Sequence, residues 1–364
     1  MQSSNSNSLS AISHELGEVF SSPYLRHRQH LLEVILLGSM TTGEMCRWQG
    51  TSDIDLLLIM RDEAVEDDCS EIKEDVRQLF SKRRCAQNLL GLRCRYVGEL
   101  AAFWRYLALQ GYHSSYALPM CINDGVFRNI PDFQRQPARK EEFLCILGEC
   151  LWGELRARAR SRECPKKDSY YEAKVLLNYL NLLLVADGVF LPTHKERAHY
   201  WNESRRDGMT EIIVAAVEAK TGVSLERGWQ QLRLGTDALR ALALNRWSGC
   251  QTAEQGMVID PAIFWIAQSA ITDLSERANI SLKICNLLAK VIADNQQGTV
   301  DDKELLISPG SRVDCQLLHF LESCHGESYP LLVEKIQAFR IAHSEASRRD
   351  WGDIHFSIQT PEIA

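Results

Sequence analysis

The sequence predicts an α/β domain followed by a larger all-α domain. Three observations predict it. Between residues 33 and 98, short apolar runs of strand length alternate with stretches of helical periodicity. From Ala138 onward the apolar residues recur at helical spacing, with turn residues at intervals. Between these regions, Gly111 to Gln136 holds Pro119, Gly125 and Pro131, with Pro137 just beyond, and reads as an irregular crossing segment. A chain of 364 residues suits two domains. The expected division is residues 1–137 for the α/β part, including an N-terminal helix, and 138–364 for the helical part.

In chain order, residues 11–32 read as a helix. Glu33 to Leu37 is a short apolar strand, and Ser39 to Trp48 fits a short helix. Asp53 to Met60, DIDLLLIM, is a second strand. Glu66 to Arg84 is an amphipathic helix, acidic first and basic later, the order that suits the helix dipole. Asn88 to Val97 is a third strand. Helices are then expected over 139–161, 168–187, 209–221, 225–245, 259–277, 279–294, 311–324 and 327–348. The breakers between them include Asp187-Gly188, Gly222, Ser248-Gly249, Gln297-Gly298 and Pro309-Gly310. A last short strand is expected in Asp353 to Ile358. No internal repeat is evident.

Composition narrows the function. Net charge is −7 and the isoelectric point is about 5.9. A protein whose main task is gripping long nucleic acid carries the opposite balance, so that class is disfavoured. The first ten residues, MQSSNSNSLS, have neither a basic start nor an apolar stretch, so a signal peptide is not expected. No apolar run reaches the length of a membrane-spanning helix. The 12 cysteines show no repeated spacing and read as reduced thiols of a cytoplasmic protein.

The chemistry is concentrated in Gly38-Ser39, thirteen intervening residues, then Asp53-Ile54-Asp55. Gly38 allows a tight turn out of the first strand. Ser39, with its hydroxyl and the nearby backbone N–H groups, is placed to hold a triphosphate at a helix start. Asp53 and Asp55 alternate on a strand, so both carboxylates fall on one face while Ile54 and Leu56 point into the core. Two carboxylates so placed suit a hard cation such as Mg²⁺. A bland alternative, two solvated aspartates at a strand edge, does not explain why charges interrupt an otherwise apolar strand.

This constellation resembles the DNA polymerase beta superfamily of nucleotidyltransferases. The wording LLGSMTTGEMCRWQGTSDIDLLLIM is similar to the aminoglycoside and minimal nucleotidyltransferases, including Gly43-Glu44 and Ser52 before Asp53. The resemblance covers roughly residues 30–100. It implies a mixed sheet, a helical domain closing the cleft, Mg²⁺ or Mn²⁺ at Asp53 and Asp55, and a nucleoside triphosphate, ATP foremost, held by Gly38, Ser39 and Ser52. It also implies a third carboxylate from a later strand, acting on the acceptor hydroxyl. Leu89 to Val97 contains no Asp or Glu, and arginines stand where an acid is expected. Glu99 is the nearest substitute and Asp124 the next. Glu99 reads at least as well as an acid at a helix start.

Other residues carry weaker readings. Lys174 is a candidate for the triphosphate, in balance with an ordinary solvated lysine. Tyr170 and Tyr171 either stack on a base or pack against neighbours, and packing is the commoner use. Thr193 to Arg197 reads as a solvated turn before it reads as a cleft wall. Arg47 can reach phosphate, and Glu44 reads as a brace for the helix after Ser39. Cys315, His319, Cys324 and His325 lack the CxxC spacing of zinc sites and read as structural, as do Cys145 and Cys150. The 8 tryptophans are dispersed, unlike a platform for single strands.

The leading functional expectation is transfer of an NMP from Mg-NTP to a hydroxyl of a small molecule, releasing pyrophosphate. The size of the helical part suggests an acceptor pocket. Two alternatives stay open. One changes the acceptor to a protein or tRNA, or makes a signalling nucleotide. The other is a catalytically impaired nucleotide-binding regulatory protein, which the missing third acid would produce.

Overall fold

Four strands form one mixed sheet in the order β3-β2-β1-β4. The strands are β1 (Leu31–Leu37), β2 (Asp53–Met60), β3 (Leu89–Tyr96) and β4 (Leu118–Ile122). This computed structural model describes residues 9–21, 28–45, 53–83, 89–122, 136–138, parts of 142–157, 168–205, 208–222 and 229–248, with a few positions between 323 and 335. The helices are α1 (Leu9–Phe20), α2 (Glu66–Ser81), α3 (Leu100–Leu109), α4 (Asp168–Ala186), α5 (His194–Arg205), α6 (Thr210–Thr221) and α7 (Trp229–Ser248). The expected helices beyond residue 258, the terminal strand and the Cys315 to His325 group lie, but for isolated positions, outside the described residues.

β1 is buried along its whole length because it sits inside the sheet with apolar layers on both faces. It pairs antiparallel with β2 on one side and with β4 on the other. β2 and β3 are parallel, and α2 lies between them in the chain, as a parallel pair requires. On β2, Ile54, Leu56, Leu58 and Met60 pack with Leu16 and Val19 of α1 and Ile72 and Val76 of α2. Leu57 and Ile59 pack the other face against Phe103, Trp104 and Leu107 of α3. The face that carries Asp55 is therefore not a solvated surface. It is a second apolar layer, and Asp55 stands at its end.

Several expected elements change. The N-terminal helix ends at Phe20, and only a single 3₁₀ turn, Arg28–His30, precedes β1. No α-helix begins at Ser39: the chain makes one 3₁₀ turn, Gly38–Met40. Thr41 and Thr42 then donate backbone bonds to Gly38 O, at 3.1 and 3.4 Å, and Glu44 donates to Ser39 O at 2.9 Å. The segment read as irregular contains β4, whose Pro119 and single apolar pairs gave too short a pattern to read. Pro119 is tolerated because β4 lies at the sheet edge. Thr193 precedes α5, and His194 to Arg197 form the first turn of that helix rather than a separate turn, with Lys195 and Glu196 exposed.

By compactness the chain forms two units. The first comprises Met1–Arg135, Phe190–Thr210 and Val217–Glu226; the second comprises Gln136–Val189, Glu211–Ala216 and Arg227–Ala364. The sheet unit thus takes back α5 and the end of α6 after the chain has left it. In the second unit, α4 and α7 carry most of the described core. Leu176, Leu180, Leu183, Leu232 and Leu239 are all but inaccessible. α4 ends at Asp187-Gly188 and α6 at Gly222, where φ of +75° and +71° fits glycine. Inside the second unit Glu154 is fully buried. It accepts from the Tyr179 hydroxyl at 2.8 Å and pairs with Arg240 at 2.5 Å.

Candidate functional site

The site is built where β1 ends and β2 begins. Antiparallel pairing sets Leu37 opposite Asp55, so the turn at Gly38 comes down beside the Asp55 carboxylate. On the other side, parallel pairing sets Gly91 of β3 opposite Asp55. The carboxylate fills the space both glycines leave open. A Cβ at Gly38 would lie 2.8 Å from Oδ2, and one at Gly91 would lie 2.8 Å from Oδ1. Gly38 also has φ of +85°, a conformation L side chains rarely adopt. Two glycines, one in the turn after β1 and one on β3, therefore define the position of one acid.

The next residues complete the surroundings of Asp55. The Tyr112 hydroxyl donates to Oδ2 at 3.4 Å. The Arg93 guanidinium lies 5.7 Å from the centre of the Tyr112 ring. Burial pulls the Arg93 guanidinium down, but Tyr112, Asp55 and Tyr106 more than offset that and hold it above the ordinary arginine value. Arg93 is thus a fixed positive charge beside Asp55. In register it stands opposite Leu57, one same-face step along β3 from Gly91.

Sequence reasoning missed the support beneath this group. Glu44 is buried and does not brace a helix after Ser39. Its carboxylate accepts the backbone N–H groups of His194 at 2.8 Å and Lys195 at 3.0 Å. An acid at a helix N-terminus meets donors that have no partner inside the helix, and the dipole favours its charge. Thr193 caps the same helix: its hydroxyl accepts from Glu196 N at 3.1 Å, and Glu196 Oε2 accepts from Thr193 N at 3.1 Å. The Thr193-x-x-Glu196 spacing was the signal that could have revealed α5. Lys220 of α6 donates to the Glu44 carbonyl at 3.3 Å.

Arg197 links this helix to the residue before Tyr112. It is buried and donates to the carbonyls of Leu191 at 2.8 Å, Gly111 at 2.6 Å and Pro192 at 3.3 Å. Burial pulls its guanidinium down to about 10, with Glu44 and Glu196 opposing, so it remains charged at neutral pH. Gly111 has φ of +94°, and a Cβ there would lie 2.6 Å from Arg197 Nη2. Arg105 of α3 stacks over Phe190 at 5.6 Å and holds the start of the same returning segment.

The remaining expected residues distribute as follows. Asp53 occupies the first position of β2, two residues before Asp55. Ser39 lies in the 3₁₀ turn beside Asp55. Glu99 ends a 3₁₀ turn immediately before α3, which fits a helix-start acid. Lys174 is exposed on α4, in the second unit. Tyr170 is buried and meets Tyr171 edge-on, with ring centres 5.5 Å apart, so this pair packs. Ser52, Arg47 and Asp124 lie outside the described residues. Among the described residues no group of three or more His, Cys, Asp or Glu side chains could hold a metal ion. Asp55 carries a carboxylate near the start of β2, and the facing positions of β3 hold Gly91 and, one same-face step on, Arg93, with no acid between them.

Comparison with known proteins is sparse. No family model matches the chain, and no curated protein matches it. Among solved structures it is similar to spectinomycin adenyltransferase AAD(9) from Enterococcus faecialis, determined with ATP and spectinomycin. The likeness has a TM-score of 0.40 and 12% identity, and it covers 65% of this chain and 97% of that one. The functional reading rests on the turn and strands around Asp55.

Proposed function

We propose that this protein is a metal-dependent nucleotidyltransferase that moves an NMP from Mg-NTP to a hydroxyl of a small-molecule acceptor and releases pyrophosphate. The observation that carries the reading is the seating of the Asp55 carboxylate between Gly38 and Gly91, next to the Ser39 turn. A solvated surface aspartate needs no such clearance. Asp53 and Asp55 would hold the divalent cation, which polarises the phosphoryl oxygens when bound. Ser39 and the turn around it would bind the triphosphate, with Ser52 beside Asp53. Tyr112 orients the Asp55 carboxylate, and Arg197 and Glu44 fix the loop and helix behind it. The acceptor hydroxyl loses its proton to a base outside β3, Glu99 being the nearest candidate in sequence. ATP is the expected donor, and Lys174 stays a candidate for the triphosphate on the resemblance alone.

One observation favours a second reading. Arg93 in place of the third acid suits a protein that binds nucleotide and has lost turnover. Calorimetric titration with each of the four NTPs plus Mg²⁺, run beside an acceptor screen for pyrophosphate release, separates the readings. Selective Mg-dependent binding that vanishes in Asp55→Asn supports the nucleotide site, and pyrophosphate release supports the transferase. Binding without turnover on any acceptor favours the regulatory reading. Wild-type binding and turnover in both Asp53→Asn and Asp55→Asn would remove these residues from the site.

A further inference from the structure

The sheet unit holds a pair of thiols that the Asp55 site does not use. Cys69 stands on α2 and Cys94 on β3, and both are buried free cysteines. Leu90, Leu92, Cys94 and Tyr96 turn one face of β3 toward the α1 and α2 layer, opposite the face that carries Gly91 and Arg93. The Cys94 thiol donates to the Cys69 carbonyl at 3.9 Å and is hydrogen-bonded to the Cys69 thiol. The Cys69 thiol also meets the Tyr96 hydroxyl at 3.6 Å. Two thiols 25 residues apart in the chain are therefore in contact between helix and strand.

We propose that Cys69 and Cys94 form an oxidant-sensitive dithiol: hydrogen peroxide converts Cys69 to a sulfenic acid, which Cys94 resolves into a disulfide joining α2 to β3. The two thiols are not equivalent. The hydrogen bond with Cys94, then that with Tyr96 and the charge of Lys73, bring the Cys69 thiol down to about 7, against burial and Asp68, which raise it. Cys94 is pushed up, first by its bond to Cys69 and then by burial. The thiolate is the reacting form, so Cys69 attacks first. Its sulfur takes one peroxide oxygen, the O–O bond breaks, and the other oxygen leaves as hydroxide and is protonated to water. The Cys94 sulfur then attacks the Cys69 sulfur, the S–O bond breaks, and the Cys94 proton leaves with that oxygen as a second water. Two thiols are oxidised to one disulfide, and the peroxide is reduced to two waters. The sulfurs close from contact to a bond of about 2 Å. The burial of both residues favours a small oxidant.

The test uses the full-length, fully reduced protein. It is exposed to hydrogen peroxide, quenched with N-ethylmaleimide, digested without reduction and mapped by mass spectrometry. A Cys69–Cys94 crosslink within one chain is expected, and dithiothreitol should return both residues to alkylatable thiols. In Cys94→Ser the sulfenic acid has no resolving partner, so a dimedone adduct should accumulate on Cys69. In Cys69→Ser, Cys94 should stay unlabelled by dimedone. Recovery of both residues as free thiols, after an exposure that fully oxidises free cysteine in the same buffer, would overturn the inference. So would a Cys69 disulfide to any other cysteine. A dimedone adduct on Cys94 in Cys69→Ser, with none on Cys69 in Cys94→Ser, would overturn the assigned order of attack. The wild-type map needs no substitution, so the pairing is tested even where a variant fails to fold.

Discussion

Replacing Gly91 with alanine puts a methyl group 2.8 Å from Asp55 Oδ1. Gly91 has no left-handed backbone, so alanine brings no φ penalty and the perturbation is aimed at one carboxylate. To reach an ordinary contact of about 3.4 Å, the carboxylate must retreat by about 0.6 Å. Overpacking of this kind costs about 1–3 kcal/mol, and alanine in place of a strand glycine returns about 0.5–1 kcal/mol. The net loss of stability should be about 1 kcal/mol, read as a shift in a urea unfolding curve. The effect on function should be larger. A displacement of around 1 Å at a positioned group costs about a hundredfold in rate, so turnover should fall roughly ten- to a hundredfold. Pyrophosphate release and Mg-NTP titration measure this directly. Near-wild-type turnover in a folded Gly91→Ala protein would refute the idea that the glycine clearance positions Asp55. Gly38→Ala makes the comparison sharper. It meets Oδ2 at the same 2.8 Å but adds the cost of φ at +85°, so it should be the less stable of the two.

Other outcomes follow from the same contacts. Glu44→Gln keeps the size but removes the charge at the α5 N-terminus, and should destabilise by about 1 kcal/mol in chemical denaturation, with the difference shrinking at high salt. Arg197→Met leaves three half-buried carbonyls without this donor and should cost about 1–3 kcal/mol, together with a loss of turnover through Gly111 and Tyr112. Equal turnover at a temperature where both proteins are folded would separate Arg197 from the site. In the second unit, Glu154→Ala should cost about 3–5 kcal/mol because Arg240 is left buried without that partner, while Tyr179→Phe should cost only about 1 kcal/mol. A double-mutant cycle on Glu154 and Tyr179 should show coupling, and additive losses would contradict the shared network.

The sequence by itself determined the local elements and their chemistry. β2 was legible over its whole length, because six apolar residues with two alternating aspartates at the start leave few other readings. α2, β3, α4 and α6 were legible within a few residues, because periodicity, charge order and glycine stops are local signals. The tight turn at Gly38 was legible as a glycine following an apolar strand, whereas its 3₁₀ form and its seating beside Asp55 depend on the antiparallel register of β1 and β2. What depended on distant neighbours was decided only by the tertiary structure. β4 is short and contains a proline, and it exists because the edge of β1 offers it partners. The N-terminus of α5 is held by Glu44, 150 residues earlier in the chain, so no window of sequence could have assigned that carboxylate its role. The return of residues 190–210 to the sheet unit is invisible to any reading that divides a chain at one point. Arg93 shows the difference most plainly. Its sequence position marked only a missing acid, whereas parallel register and the Tyr112 ring make it a positive charge beside Asp55, and electrostatics depends on distance in space.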